Sequence, residues 1–418
     1  MIDPSQRLDG KLDVRITNGV IAELGDGLRA EVEEVIEAAG LIVAPGFIDL
    51  HVHLREPGGE HKETIASGAA SAAAGGFTAV VAMPNTVPPT DNPAAVGFVL
   101  AQGRRCGLAR VYPSGAITVG QKGDHLAQIG EMVDAGAVTI TDDGRPVSRS
   151  GVMRLALEYA QSFDLPVSVH EEDLELSRGG VMNEGIISSK LGLTGIPNVA
   201  EEVMISRDLM LAGLTGGRLH IQHVTTRNGV ELIRAAKARG IRVTAEATPH
   251  HFTLTDGAVE RYRTDAKMNP PLRSEADRTA VREGVADGTL DVIATDHAPH
   301  HYDEKEQAFD DAPFGIVGLE TALGLAITEL VERRVIDLST LIDRMSCGPA
   351  LAFNLPGGTL NRGAAADVTL FDLAREWVVD PSRFLSLSRN TPFAGWKLRG
   401  RAIRTIVEGR TVWVRTEQ

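Results

Sequence analysis

Aromatic residues make up only 4% of the 418-residue chain, and no block of five or more basic residues occurs anywhere in it. Base stacking needs aromatic platforms and phosphate backbones need clustered cations, so nucleic acid is excluded as a partner. Acids outnumber bases by 56 to 42, a formal charge of −14, which also removes attraction to an anionic membrane. Cysteine is equally scarce. Cys106 and Cys347 cannot build a disulfide framework and are expected as buried thiols in a reducing compartment. Long apolar runs are missing too: Met1 to Gly19 has no hydrophobic segment after its charges, and Leu41 to Leu50 is broken by Pro45-Gly46 and by Asp49. A cytoplasmic protein without a membrane span is therefore expected.

What the chain does have is 43% hydrophobic residues, distributed as short β-rich runs alternating with Ala/Leu/Glu-rich stretches of helical length. Eight such runs are read: Leu41 to His53, Thr78 to Met83, Arg110 to Gly115, Ala137 to Thr141, Pro166 to His170, Arg218 to Val224, Arg242 to Ala247 and Asp291 to Thr295. Helical segments such as Thr64 to Ala74, Gly151 to Ser162, Ala200 to Ala212 and Asn228 to Arg239 separate them. This β/α order is that of a parallel sheet, and eight units predict a closed (β/α)₈ TIM-type barrel.

The two ends lack intervening helices. Leu12 to Ile21 and Val32 to Ile36, with Asp367 to Phe371, Trp377 to Val379, Thr405 to Val407 and Thr411 to Val414, read as short strands that meet in one small β-sandwich. The expected division is 1–44 and 356–418 for the sandwich and 45–355 for the barrel, with Leu355-Pro-Gly-Gly358 marking the return.

The candidate functional residues fall at the C-terminal ends of the barrel strands, the rim where barrel active sites are built. His51 and His53 are two apart on an extended segment, so both side chains project to one face and can chelate one ion. His170 closes the fifth strand. His223 closes the sixth, and its offset from His220 puts those two on opposite faces. Asp296 closes the eighth, where a carboxylate after an apolar strand has no packing reason to be. Each of these alone has an ordinary structural explanation; four strand ends supplying four imidazoles and a carboxylate point to a metal site.

A second ion needs a bridging anion. No lysine is available for carbamylation between Lys122 and Lys190, but the fourth strand runs into Asp142-Asp143-Gly144, and either aspartate can serve. Around them, Arg55 offers a planar fork for a carboxylate, and Asn85 and Asn269 can each donate and accept hydrogen bonds. His300 opens a segment, His300 to Pro313, that reads as a mobile lid or a solvated loop.

Five segments together, Gly46-Phe-Ile-Asp-Leu-His-Val-His-Leu-Arg-Glu-Pro-Gly58, Met83-Pro-Asn-Thr86, Thr141-Asp-Asp-Gly144, Asn269-Pro-Pro-Leu-Arg273 and Ala294-Thr-Asp-His-Ala-Pro-His300, resemble the dihydroorotases of the amidohydrolase superfamily over nearly the whole chain. The likeness is to the bacterial branch with an aspartate in place of the carbamylated lysine. It implies a zinc-dependent cyclic amide hydrolase that interconverts dihydroorotate and N-carbamoyl-L-aspartate in pyrimidine biosynthesis. It further implies two Zn²⁺ ions, His51, His53, Asp143 and Asp296 around the first and Asp143, His170 and His223 around the second, bridged by Asp143 and a hydroxide. Asp143 is preferred to Asp142 by its interval to His170. Asp296 would shuttle the proton, and Arg55, Asn85, Asn269 and His300 would bind substrate. A homodimer and an assembly with aspartate carbamoyltransferase are the partner states implied. The alternatives are an allantoinase- or hydantoinase-type amidase and a silent scaffold for that transferase.

Overall fold

The computed structural model describes residues 1–29 and 34–416. Its centre is a sheet of eight parallel strands: β1 Phe47–Val52, β2 Phe77–Ala82, β3 Arg110–Gly115, β4 Thr139–Ile140, β5 Val167–Val169, β6 Leu219–Ile221, β7 Val243–Ala247 and β8 Val292–Ile293. They lie side by side in chain order, and a parallel bridge from Val52 to His297 closes the barrel. The predicted (β/α)₈ architecture is the one observed.

The helices between strands start where the sequence offers caps. Thr64 and Ser67 form a reciprocal capping box on Ile65–Gly75, Asn92 accepts the Ala95 N–H ahead of Pro93–Cys106, and Thr226 caps Arg227–Ala238. Gly76, at φ +93°, ends the first helix in the left-handed conformation that glycine adopts without strain. Apolar faces of these helices cover the outside of the barrel, with Ile65, Ala69, Val96, Val99, Ile205, Leu209 and Ile233 all buried. No helix among the described residues is long and apolar enough to cross a membrane.

The first predicted strand needs correction. Leu41 to His53 is two strands, not one: Ile42–Pro45 pairs antiparallel with Val368 to Phe371, and only Phe47–Val52 enters the barrel. The break falls at Gly46, where the Thr78 side chain fills the space a Cβ would need. Strand pairing is decided there by a close approach, which hydrophobic periodicity does not report.

The chain ends meet in a four-stranded antiparallel sheet of Ile42–Pro45, Val368–Val378, Lys397–Val407 and Arg410–Val414. The predicted runs Asp367 to Phe371 and Trp377 to Val379 therefore belong to one long strand, continued through a register shift after Asp372. Leu12 to Ile21 is a hairpin, Asp13–Thr17 and Val20–Gly25, turning at Asn18-Gly19 with φ of +52° and +77°. It packs on the sheet through Ile21, Leu360, Val368, Leu370 and Ile406. The Val32 to Ile36 expectation falls partly on residues outside those described, and Glu34 to Ile36 carry no strand. Cys347 is buried as expected; Cys106 is only partly so, because it is the last residue of its helix.

Candidate metal centre

The barrel's C-terminal mouth gathers six side chains from five strand ends. Asp143, just beyond β4, is the hub. Its Oδ1 lies 3.4 Å from His51 Nε2, 3.7 Å from His170 Nδ1 and 3.9 Å from His223 Nε2, and its Oδ2 lies 3.5 Å from His53 Nε2. Asp296 Oδ1 lies 3.0 Å from His53 Nε2 and 3.4 Å from His51 Nε2. His170 Nδ1 and His223 Nε2 face each other at 3.0 Å. Three overlapping groups have ligand atoms all within 4.8 Å of one another: His51, His53 and Asp143; His51, His223 and Asp296; Asp143, His170 and His223. All six residues are buried.

Asp142 turns the other way. It accepts backbone N–H groups of Ile117 at 2.9 Å and Thr118 at 3.1 Å, together with the Thr118 hydroxyl, and so ties the end of β3 to β4. Of the two aspartates that composition leaves equivalent, Asp143 alone meets the imidazoles.

Backbone geometry at the rim is constrained. Arg55, His223 and Asp296 have φ of +59°, +31° and +47°. Non-glycine residues in this region cost on the order of 1–3 kcal/mol each and persist only where surrounding structure imposes them, most often at functional sites. The conformation explains why alternation fails past β6: His223 lies two residues beyond the strand and turns into the cluster, while His220 stays inside the barrel, hydrogen-bonded to Glu246.

The remaining ring nitrogens have partners of their own. His51 Nδ1–H donates to Glu246 Oε1 at 2.7 Å, His53 Nδ1–H to Asn85 Oδ1 at 2.9 Å, and His170 Nε2–H to Glu172 Oε2 at 3.1 Å. In the neutral ring, an acceptor on the outer nitrogen selects the tautomer whose inner nitrogen carries the lone pair, and the inner nitrogens converge, the arrangement of a metal-bound imidazole. His51 Nε2 is buried with no hydrogen-bond partner at all. An orphaned, buried nitrogen facing two carboxylates fits a divalent cation with a taste for nitrogen and oxygen ligands.

Charge in the cluster is strongly coupled. Burial favours the neutral acid at Asp143, yet His51, His170 and His53 hold its carboxyl well below the usual range. Burial likewise opposes ionisation of Glu246, and His51 and His220 outweigh it, drawing the carboxyl down to about 2. Asp49, wholly enclosed, is pushed up to about 7 by burial; its carboxyl accepts N–H groups from His51 and Thr295 and stitches β1 to the end of β8.

The expected substrate-binding residues lie around the cluster. Arg55 Nε donates to Pro299 O at 3.1 Å, and its Nη2 donates to His300 Nε2 at 3.3 Å. His300 is kept neutral by burial and by the nearby Arg55 charge. Asn85 uses its oxygen on His53 and points its amide nitrogen at Asp143, 3.4 Å away. Asn269 donates to Glu172 Oε2 at 3.0 Å. The His300 to Pro313 segment is anchored along one side, while Tyr302, Asp303, Glu306 to Ala308, Asp310 and Asp311 stay exposed. Lys305 Nζ donates to Pro313 O and Gly315 O at 2.8 and 3.1 Å, and Lys267 Nζ to Phe309 O and Asp310 O at 2.6 and 3.0 Å, with both lysines and Phe309 buried. Asn390, from the C-terminal part, accepts the His300 N–H and donates to Ala298 O and Gly315 O.

Sequence reasoning missed Glu246, Glu172, Asp49 and Asn390. For Glu246 a signal existed: an acid inside the otherwise small and apolar run Val243-Thr-Ala-Glu-Ala247.

A closed parallel barrel with imidazoles and carboxylates converging at the C-terminal mouth defines the metal-dependent hydrolases of the amidohydrolase superfamily. A family model described as "Dihydro-orotase-like" matches residues 40–229. Over 413 residues the chain is 56% identical to a protein named dihydroorotase from Syntrophotalea carbinolica, covering 99% of this chain and 97% of that one. It is 53% identical over 416 residues to a dihydroorotase from Pelobacter propionicus, covering 99% and 98%. Among solved structures, an L-hydantoinase (dihydropyrimidinase) from Arthrobacter aurescens superposes with a TM-score of 0.86 at 28% identity, over 97% of this chain and 94% of that one. The chain belongs to the dihydroorotase family.

Proposed function

We propose that this chain opens and closes the dihydroorotate ring, with N-carbamoyl-L-aspartate as the open product, at a centre of two zinc ions. The carrying observation is Asp143 touching all four imidazoles while Arg55 and His300 stand at the same rim. His51, His53, Asp143 and Asp296 would hold one ion and Asp143, His170 and His223 the other. When bound, such ions supply a hydroxide nucleophile near neutral pH and polarise the amide carbonyl.

The chain's own residues account for the rest. Hydrolysis adds water across the ring amide: a C–O bond forms, the C–N bond breaks, and one proton passes from the attacking water to the departing nitrogen. Asp296 is the carboxylate for that transfer. Its Oδ1 is held at 3.0 Å from His53 Nε2, and its left-handed backbone fixes its direction. General base then general acid action of this kind is worth typically ~10²–10⁴-fold. Arg55 clamps the substrate carboxylate, orienting the ring and rejecting neutral lactams. Asn85, Asn269 and His300 complete the cradle. Asn85 also orients His53, so its replacement alters more than substrate contact.

Replacing Arg55 with Met should raise KM for dihydroorotate about 10–100-fold, the scale of a lost hydrogen bond to a charged group. KM for an uncharged ring amide such as dihydrouracil should change little. Equal effects on both substrates, measured by initial rates, would remove the carboxylate clamp. The amide-only selectivity of a hydantoinase is the reading that result would favour.

Two free cysteines and the lack of a membrane-crossing helix among the described residues fit a cytoplasmic enzyme. Assembly with a second copy or with aspartate carbamoyltransferase is part of the same proposal. The helix Val199–Thr215 leaves Val203, Met210 and Leu214 exposed, and a sizing column run with and without the transferase reads it.

A further inference from the structure

Glu246 sits one residue before the end of β7, and its side chain lies inside the barrel under the cluster. Oε1 accepts the His51 Nδ1–H at 2.7 Å and the His223 backbone N–H at 3.1 Å. Oε2 accepts the His220 Nε2–H at 3.1 Å, and His220 Nδ1 meets Thr244 Oγ1 at 2.8 Å. The carboxylate and its histidine partners are shut off from solvent: Glu246, His51 and His220 are all 0% exposed and His223 is 1% exposed.

An ionised carboxylate only accepts, so every hydrogen in these contacts belongs to its partners. Two consequences follow. In the neutral ring His51 then carries its proton on Nδ1 and presents Nε2, 3.4 Å from both Asp143 and Asp296, as the nitrogen able to take an ion. The same oxygen holds the backbone of His223, whose φ of +31° is strained, in the turn that sets its ring beside His170. One side chain thus braces groups from β1 and β6: His51 and His223 share one of the three ligand groups and each belongs to a second.

We propose that Glu246 is a positioning residue for metal binding, selecting the His51 tautomer that presents Nε2 and fixing the His223 turn that presents its ring to the neighbouring position. This rests on the reading of His51 and His223 as metal ligands. A carboxylate that merely filled space in the barrel would affect stability and leave metal affinity per folded molecule untouched. Outer-sphere partners of metal-bound histidines typically contribute 10–100-fold in affinity.

The test compares zinc affinity, by competition with a chromophoric chelator, for the parent chain, Glu246→Gln, Glu246→Ala and His51→Ala, with circular dichroism as the check on folding. Glu246→Gln keeps the volume and must turn a donor toward one of its present donors. It should bind zinc about 10–100-fold more weakly with an unchanged spectrum. In the zinc-loaded parent, histidine ¹⁵N NMR should place the His51 proton on Nδ1, a readout that stands even if both Glu246 variants fail to fold. Parental affinity in Glu246→Gln alongside weakened binding in His51→Ala, or a His51 proton on Nε2, would overturn the role of Glu246 and leave the metal centre in place. Parental affinity in both Glu246→Gln and His51→Ala would overturn the ligand assignment itself.

Discussion

Asp296→Ala should lose ring-opening activity by at least about 10²–10⁴-fold, the usual weight of a positioned acid–base group, while keeping most of its metal. The physical reason is a division of labour. Asp143 reaches all four imidazoles, so His51, His53, His170 and His223 keep a carboxylate partner when Asp296 is removed. Within 4 Å Asp296 meets two of the imidazoles, His51 and His53, and its φ of +47° shows a backbone held in place to aim that one carboxylate. Initial rates on dihydroorotate with metal analysis of the same sample separate the two effects. Rates within a few-fold of the parent would take Asp296 out of proton transfer.

Asp143→Ala should do the reverse and empty the site. With Asp143 gone, the cluster keeps four imidazoles and one carboxylate, and the His170 and His223 pair, 3.0 Å apart, loses its only acid within 4 Å among the ligand candidates. Loss of more than about 100-fold in metal affinity is expected, beyond the 10–100-fold that outer-sphere partners supply. Activity should fall with it. Zinc binding at parental affinity in that variant, read by the same chelator competition, would show that the imidazoles do not need a shared carboxylate.

How much of this could be read from residues alone depended on what sets each position. His51, His53, His170 and Asp296 were legible because barrel strands carry their chemistry at one end, and apolar runs locate those ends. His223 was legible by position but for a partly different reason, since its ring is placed by a left-handed turn past β6 rather than by alternation along it. Asp142 and Asp143 are equivalent as composition; the interval to His170 favoured the second, and the structure separates them by the Thr118 and Ile117 contacts of the first and the imidazole contacts of the second. Glu246 stood out as an acid in a small, apolar run, but its task was hidden because its partner His51 lies 195 residues away. Asn390 is farther from view still, reaching the His300 segment from the C-terminal part. The same long-range packing turns the His300 to Pro313 stretch, charged enough to read as solvated, into a segment held by two buried lysines.

The most direct test strips the purified chain of metal and titrates zinc back while following dihydroorotate hydrolysis. Activity should vanish on stripping and return in proportion to added zinc, saturating at no more than two ions per chain. Hydrolysis that persists in the stripped protein, or zinc that fails to bind it, would contradict a metal centre built from these histidines and aspartates.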